Sequence, residues 1–177
     1  MGVINRNGKI ILEPKYSSVE PFSNGYAAVQ ISAGDDGVKS GFIDTTGQFV
    51  FGRTFGLIRG FEQGYAAVKI GGKWGLIDTP GKLVIENKYD DITGYQDGLC
   101  IVGIKKGKRM KYGFMDPSGQ WVLKPVYNEA WFFENGLAPV KIGKKFGYID
   151  RTGKIVIEPR FDNALGFRKE HLGFSLE

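Results

Sequence analysis

KWGLIDTPGKLVIENKYDDITGYQDG, residues 73–98, is the stretch from which the whole chain is read. It holds an aromatic-Gly pair (Trp74, Gly75), then an apolar-Asp pair (Ile77, Asp78), then Gly81, an apolar run at 83–85, and two aromatics six apart (Tyr89, Tyr95). The same order recurs from Gly41, Gly113 and Gly147, and from Gly2 with Asn5 in place of the Asp. Each of the first four of these glycines (Gly2, Gly41, Gly75, Gly113) lies 23 residues before the glycine that follows an aromatic-x-x tripeptide: Gly25, Gly64, Gly98 and Gly136. The return interval runs 16, 11, 15 and 11 residues. Length variation confined to one place marks a packed unit with a single exposed loop, because loops tolerate insertion and cores do not.

Three strands are expected per unit. The first alternates small and branched residues, as in Ala138, Val140 and Ile142 on one face with Lys141 on the other. A hairpin at 71–72 or 143–144 returns it into the second strand, which ends on the Asp. Asp-x-x-Gly at 44–47, 78–81, 116–119 and 150–153 is a turn whose carboxylate accepts backbone N–H bonds and whose Gly supplies a positive φ; Asn5 serves the same purpose. The third strand is an apolar triplet (10–12, 49–51, 83–85, 121–123, 155–157), whose unbroken apolar character predicts a central, two-sided burial. Pro14, Pro125 and Pro159 are expected to stop it at once. Paired aromatics then pin an excursion: Tyr16/Phe22, Phe55/Phe61, Tyr89/Tyr95, Tyr127/Phe133 and Phe161/Phe167. The residue midway (Val19, Ile58, Ile92, Ala130, Ala164) is three from each, a spacing that predicts a short 3₁₀ turn or packed loop.

Composition bounds the rest. In 177 residues there are 27 glycines and 14% aromatics, the balance of many short strands joined by tight turns. The net charge of +5 permits an anionic partner without requiring one, since the lysines are dispersed. Cys100 is the only cysteine, which rules out an intrachain disulfide or a Cys-based metal site. His171 is the only histidine and stands near the end of the sequence, a poor place for the base of a serine or cysteine triad, and one histidine cannot make a two-His metal site. No apolar run reaches the length of a membrane-spanning helix, and residues 1–5 have no leader character. With Met1 as the native start the chain reads as cytoplasmic; a removed signal would leave the compartment open.

At residues 73–78, with Gly81 and Lys82 trailing, the chain resembles the WG-repeat (KWG repeat) family of bacterial β-rich repeat proteins. The likeness covers essentially the whole sequence. Departures are Ser40 and Met1 at the aromatic position, and residues 52–54 where Glu-Pro-basic is usual. The resemblance implies an interaction module without shared catalytic residues or cofactor. As to architecture, residues 170–176 align with 136–142 and would supply the first strand of a unit completed by residues 2–12. The expectation is one all-β repeat domain over 1–177, a five-bladed propeller closed by strands from both termini; the alternative is an open β-solenoid-like array. The units run approximately 170–177 plus 1–24, 25–63, 64–97, 98–135 and 136–169.

Consensus positions build the scaffold, so function is sought where one unit departs from the others. The Asp column could ring a cation, but turn formation accounts for every member. Trp74 and its column mates Tyr112 and Phe146 could stack on sugars or bases, against the plainer reading of packing. Trp131 and Phe132 stand in a variable column, opposite Glu20-Pro21, Arg59-Gly60, Thr93-Gly94 and Leu165-Gly166, and read as an apolar anchor or a local repacking. The hairpin at 105–111 holds five cations in seven residues (Lys105, Lys106, Lys108, Arg109, Lys111), able to meet phosphates or simply solvated. The acidic loop 33–37 is too sparse for calcium. The expected function is a non-enzymatic scaffold binding a protein or peptide partner, monomeric if the ring is closed. A glycan- or cell-wall-binding module is the alternative; nucleic acid is the less favoured partner.

Overall fold

The computed structural model describes residues 2–4, 7–8, 10–12, 14, 16–32, 38–168 and 171–175. The expectations placed on Asn5, on the loop 33–37, on Glu170 and on Leu176 lie outside the described residues. Nineteen strands and no helix are seen among those described. β1 (Val3–Ile4) pairs with β2 (Ile10–Leu12), and β3 (Ser18–Val19), β4 (Tyr26–Ser32) and β5 (Val38–Asp44) form a three-stranded sheet. β6 (Leu57–Ile58), β7 (Tyr65–Ile70), β8 (Lys73–Asp78) and β9 (Leu83–Tyr89) form a four-stranded one. So do β10 (Asp91–Gln96), β11 (Leu99–Lys106), β12 (Arg109–Met115) and β13 (Trp121–Tyr127). β14 (Glu129–Ala130), β15 (Ala138–Ile142), β16 (Lys145–Ile149) and β17 (Ile155–Phe161) repeat the plan, and β18 (Asn163–Arg168) pairs with β19 (His171–Ser175). The chain divides into two compact units, Met1–Lys88 and Tyr89–Glu177. In the first, Phe42, Phe55, Phe61, Val68 and Ile77 make one core cluster, and Tyr16, Ala27, Val29 and Ile43 another. In the second, Leu99, Ile101, Phe114, Phe133, Val140 and Ile149 pack together, and Phe146, Tyr148, Phe161 and Ala164 form a smaller cluster.

A full sheet therefore has four strands, not three. The excursion between the paired aromatics is itself the first strand. Ile92 faces Val102 and Tyr95 faces Cys100, three residues against two, so one extra residue is accommodated as a bulge. That bulge returns Ile92 and Tyr95 to the same buried side and mimics the period of a helical turn. The strand ends in a two-residue turn whose both central residues have positive φ: Asn24 (53°) and Gly25 (84°), Gln63 (49°) and Gly64 (87°), Asp97 (54°) and Gly98 (86°), Asn135 (50°) and Gly136 (84°). These are type I′ turns, the ones whose twist matches a hairpin's.

The apolar triplet is the outermost strand, not a central one. β13 and β17 end their sheets, and Val122, Val126, Ile155 and Val156 are exposed. Nor does proline stop these strands: β13 runs through Pro125 and β17 through Pro159. Both sit in a wide bulge, since Tyr112 faces Tyr127 while Phe114 faces Leu123, and Phe146 faces Phe161 while Tyr148 faces Ile157. An edge strand has no outer neighbour needing the missing N–H, which is why proline is tolerated. The bulge presses on the glycine after the column aromatic. A Cβ on Gly113 would lie 2.5 Å from the Leu123 carbonyl oxygen, and one on Gly147 2.5 Å from that of Ile157. In the sheet of β3–β5, where residues 52–54 depart from the pattern, the ring of Phe49 stands over Gly41 instead. No continuous fourth strand forms there, and residues 49–55 meet β5 at two isolated bridges, Ile43 with Phe49 and Ser40 with Phe55.

Closure of a five-bladed ring by terminal strands is not formed by any strand pairing among the described residues. β1–β2 and β18–β19 are separate two-stranded sheets, and none of the six sheets closes. The Asp turns behave as read. Asp116 Oδ1 accepts from the Ser118 N–H (2.9 Å), the Ser118 hydroxyl (2.6 Å) and the Gln120 N–H (3.0 Å). Asp44 and Asp150 do the same with Thr46/Gln48 and Thr152/Lys154. Asp78 accepts from the Lys82 N–H at 2.8 Å. The hydroxyl bonds, chiefly, hold the carboxyls of Asp44, Asp116 and Asp150 below their ordinary 3.8.

Two outcomes follow. Gly147→Ala is expected to lower unfolding stability by about 2–3 kcal/mol through the backbone collision. Gly119→Ala, with a positive φ but nothing within 4 Å of the added carbon, costs about 1 kcal/mol; urea denaturation of the two separates the effects. The second concerns acid. The folded carboxyls are depressed, so the unfolded chain binds protons first. The stability held in these turns is present above the unfolded value and lost as pH falls through the folded ones. Asp116→Asn keeps an oxygen acceptor but removes the titration, so its urea midpoint falls less than the parent's between about pH 5 and about pH 2.

Candidate functional site

The variable column at the end of each first strand carries the largest exposed ring of the second unit. Trp131 is 52% exposed. Its backbone is nonetheless fixed, because its N–H donates to the Pro139 carbonyl at 3.0 Å. Phe132 is half-buried and packs against the main cluster of that unit. Of the two, Trp131 presents surface and Phe132 is mainly core. Trp74 lies in the first unit and is 6% exposed. The guanidinium carbon of Arg59 stands 4.5 Å from its ring centroid and the Lys69 ammonium 5.8 Å from it. A ring so covered is not an open sugar platform.

The cationic hairpin joins β11 to β12 through Gly107 (φ 62°) and Lys108, with Lys106 facing Arg109. A glycine at the first central position makes this a type II′ turn. Its cations divide in two. Lys106 Nζ donates to the Pro125 carbonyl (3.4 Å), while Lys111 Nζ donates to the Val126 carbonyl (3.1 Å) and to Asn128 Oδ1 (2.7 Å). These two lysines satisfy carbonyls that the bulge of β13 turns outward. Lys105, Lys108 and Arg109 are exposed and form no ion pair among the described residues.

Trp131 and this hairpin meet at one surface. A hollow of about 180 Å³ is lined by Thr93, Tyr112, Glu129, Ala130 and Trp131. Beside it a groove of about 400 Å³ is lined by Arg109, Met110, Asn128, Glu129, Lys141 and Lys144 among others. Glu129 belongs to both and is paired with Lys141 at 2.7 Å. The pair follows from register, since Glu129 on β14 faces Lys141 on β15. Glu129, Lys141 and Lys144 are absent from the sequence-based candidates. The signal for them was present: counting from Gly136 places Lys141 on the strand beside Glu129, once the first strand is known to exist. The outcome is an aromatic-rimmed hollow opening onto a groove of net positive charge.

Little here supports covalent chemistry. Cys100 is fully buried, and burial followed by the charge of Asp116 pushes its thiol up to about 12. Burial likewise raises the phenols of Tyr127 and Tyr148. Among the described residues no group of three or more potential metal ligands comes together. His171 lies on β19.

The sequence description of the WG containing repeat matches residues 1–32, 41–74, 74–108, 112–146 and 146–174. No curated protein matches the chain. Burial orders the two tryptophans. Trp74→Ala is expected to cost about 3–5 kcal/mol of stability, and Trp131→Ala to stay within about 0.5 kcal/mol, as read by thermal and urea unfolding.

Proposed function

The chain belongs to the WG containing repeat family, and on that footing we propose that it is a non-enzymatic interaction module that docks a protein or peptide segment on the second unit. The observation that carries this is the continuity of the Trp131 hollow with the cationic groove across Glu129. An exposed tryptophan held by a fixed backbone is the kind of residue that anchors an interface, since burying it brings much apolar area at small entropic cost. Arg109 and Lys144 on the groove, with Lys105 and Lys108 on the adjoining hairpin, favour carboxylates on the partner and speed its encounter. The ligand is therefore an acidic segment that places one side chain in the hollow and lays its carboxylates along the hairpin.

A glycan is the second reading. Tyr112 and Trp131 with the carboxylate of Glu129 offer ring faces and an acceptor, the ingredients of a sugar subsite. A nucleic acid would use the exposed cations instead and lose affinity steeply with salt.

The readings part in one experiment. The full chain is titrated, by fluorescence anisotropy, with a labelled library of acidic decapeptides and separately with a panel of soluble oligosaccharides and a single-stranded oligonucleotide. Peptide binding that Trp131→Ala weakens by about 30-fold, with unfolding unchanged, is the expected result. Saccharide binding with the same loss turns the assignment to glycans. Oligonucleotide binding indifferent to Trp131 overturns the docking of a peptide.

A further inference from the structure

Counting from the repeat anchors aligns Arg59, Thr93 and Trp131 in one column, and Lys69, Gly103 and Lys141 in another. The second column lies directly across the ladder from the column aromatic: Lys69 faces Trp74, Gly103 faces Tyr112 and Lys141 faces Phe146. Where the ladder partner is lysine, its ammonium lies over the ring, 5.8 Å above Trp74 and 5.1 Å above Phe146. In the first unit Arg59 adds a guanidinium over Trp74 at 4.5 Å. Where the column holds Ser40 in place of an aromatic, the partner is Gln30, not a cation. Lysine thus accompanies the ring in two sheets and is missing where the ring is missing.

The sheet of Tyr112 has the ring but no cation at either position. Thr93 stands where Arg59 does, and Gly103 where the lysine does. A Cβ on Gly103 would lie 2.8 Å from Met110 Cε and 2.9 Å from Tyr112 Cε1, so the methionine and the tyrosine ring both lean over the glycine. In the column where Arg59 stands over Trp74 this sheet has Thr93, and beside Thr93 lies the hollow lined also by Tyr112, Trp131 and Glu129. Two aromatic rings and a carboxylate around one cavity are the surroundings that hold a cationic head group. Glu129 is the one anionic side chain among the residues lining it.

We infer that the side chain taken into the hollow is an arginine of the docked peptide, its guanidinium lying against Trp131 and Tyr112 as Arg59 lies against Trp74, with Glu129 as its counter-charge. This rests on the docking of an acidic segment proposed above and specifies its anchor. The planar guanidinium stacks on rings as well as pairing with carboxylate, which favours it over lysine. The partner motif is then one arginine next to a run of acidic residues, the arginine in the hollow and the acids on the groove of Arg109, Lys141 and Lys144. Glu129 is shared between the incoming guanidinium and Lys141, so the carboxylates of the peptide take over part of the pairing of that lysine.

Three peptides test the anchor by isothermal titration of the full chain: one arginine followed by four aspartates, the same peptide with citrulline for arginine, and the same with leucine. Citrulline keeps the shape and removes the charge. Binding of the arginine peptide about tenfold tighter than either analogue is expected. Thr93→Arg, at an exposed position, should fill the hollow with the chain's own guanidinium and erase that preference without changing the unfolding midpoint. Glu129→Gln should reduce it while sparing the citrulline peptide. Equal affinities, or the leucine peptide binding best, overturn the arginine anchor and leave the docking surface standing. No binding of any of the three, together with silence from the acidic library, overturns both.

Discussion

Two stretches of backbone lie closer in this protein than a single methyl group would permit, and the repeat is arranged around that approach. At Gly75, Gly113 and Gly147 a carbonyl oxygen of the fourth strand occupies the neighbourhood where a Cβ would stand. The bulge that brings it there turns further carbonyls outward, to be met by Lys106 and Lys111. It also gives Pro125 and Pro159 a place on a strand, because the bulged edge has no ladder bond to lose. The aromatic before each glycine is then fixed at the third strand's entrance, opposite the residue that decides what covers it. Where Phe49 takes the place of the carbonyl, over Gly41, no continuous fourth strand forms. The aromatic-Gly pair is thus a specification of sheet width as much as of packing.

Each full sheet has three hairpins: the type I′ turn after its first strand, a connection of variable length after the second, and the Asp-x-x-Gly turn after the third. The type I′ turns are constant in length and set the interval of 23 residues. The hairpin between the second and third strands varies in length, and in the second unit it carries Lys105, Lys108 and Arg109 into solvent. The outer edge is a poor place for a partner to add a strand, since Pro125 and Pro159 offer no donor and the bulges break the register. On the function proposed above, recognition falls instead to side chains such as Trp131, Tyr112 and Glu129, which converge on one hollow.

Much of this was legible in the residues. The repeat interval, the all-β class and the Asp turns follow from spacing and from what Asp-x-x-Gly can bond. The first strand was not legible, because a bulge between Ile92 and Tyr95 inserts the extra residue that turns a period of two into an apparent period of three. The hairpin signal that announces it, Asn24-Gly25, Asp97-Gly98 and Asn135-Gly136, is present in the sequence and served only as a ruler. The edge position of the apolar triplets was hidden too. Val122 and Ile155 look like core residues, yet both are exposed on the last strand of a sheet. At the site, the exposure of Trp131 is readable from its variable column. The pairing of Glu129 with Lys141, and hence the union of hollow and groove, requires a strand that the bulge conceals.

Every strand in the described sheets pairs with its neighbour along the chain, so the order in each sheet is the order of synthesis. All-β proteins are usually slow to fold because distant segments must find one another before any contact rewards the search. Here the loops to be closed include the short turns at 24–25, 63–64, 97–98 and 135–136, the hairpins at 71–72, 107–108 and 143–144, and the Asp-x-x-Gly turns at 44–47, 78–81, 116–119 and 150–153. Each four-stranded sheet can assemble from one consecutive stretch (57–89, 91–127 or 129–161) as it leaves the ribosome, with its turns already biased toward the right hand of twist. Such a topology confers rapid, stepwise folding on an architecture class noted for the opposite, and it lets a lineage add or remove a repeat without redrawing any strand pairing already made.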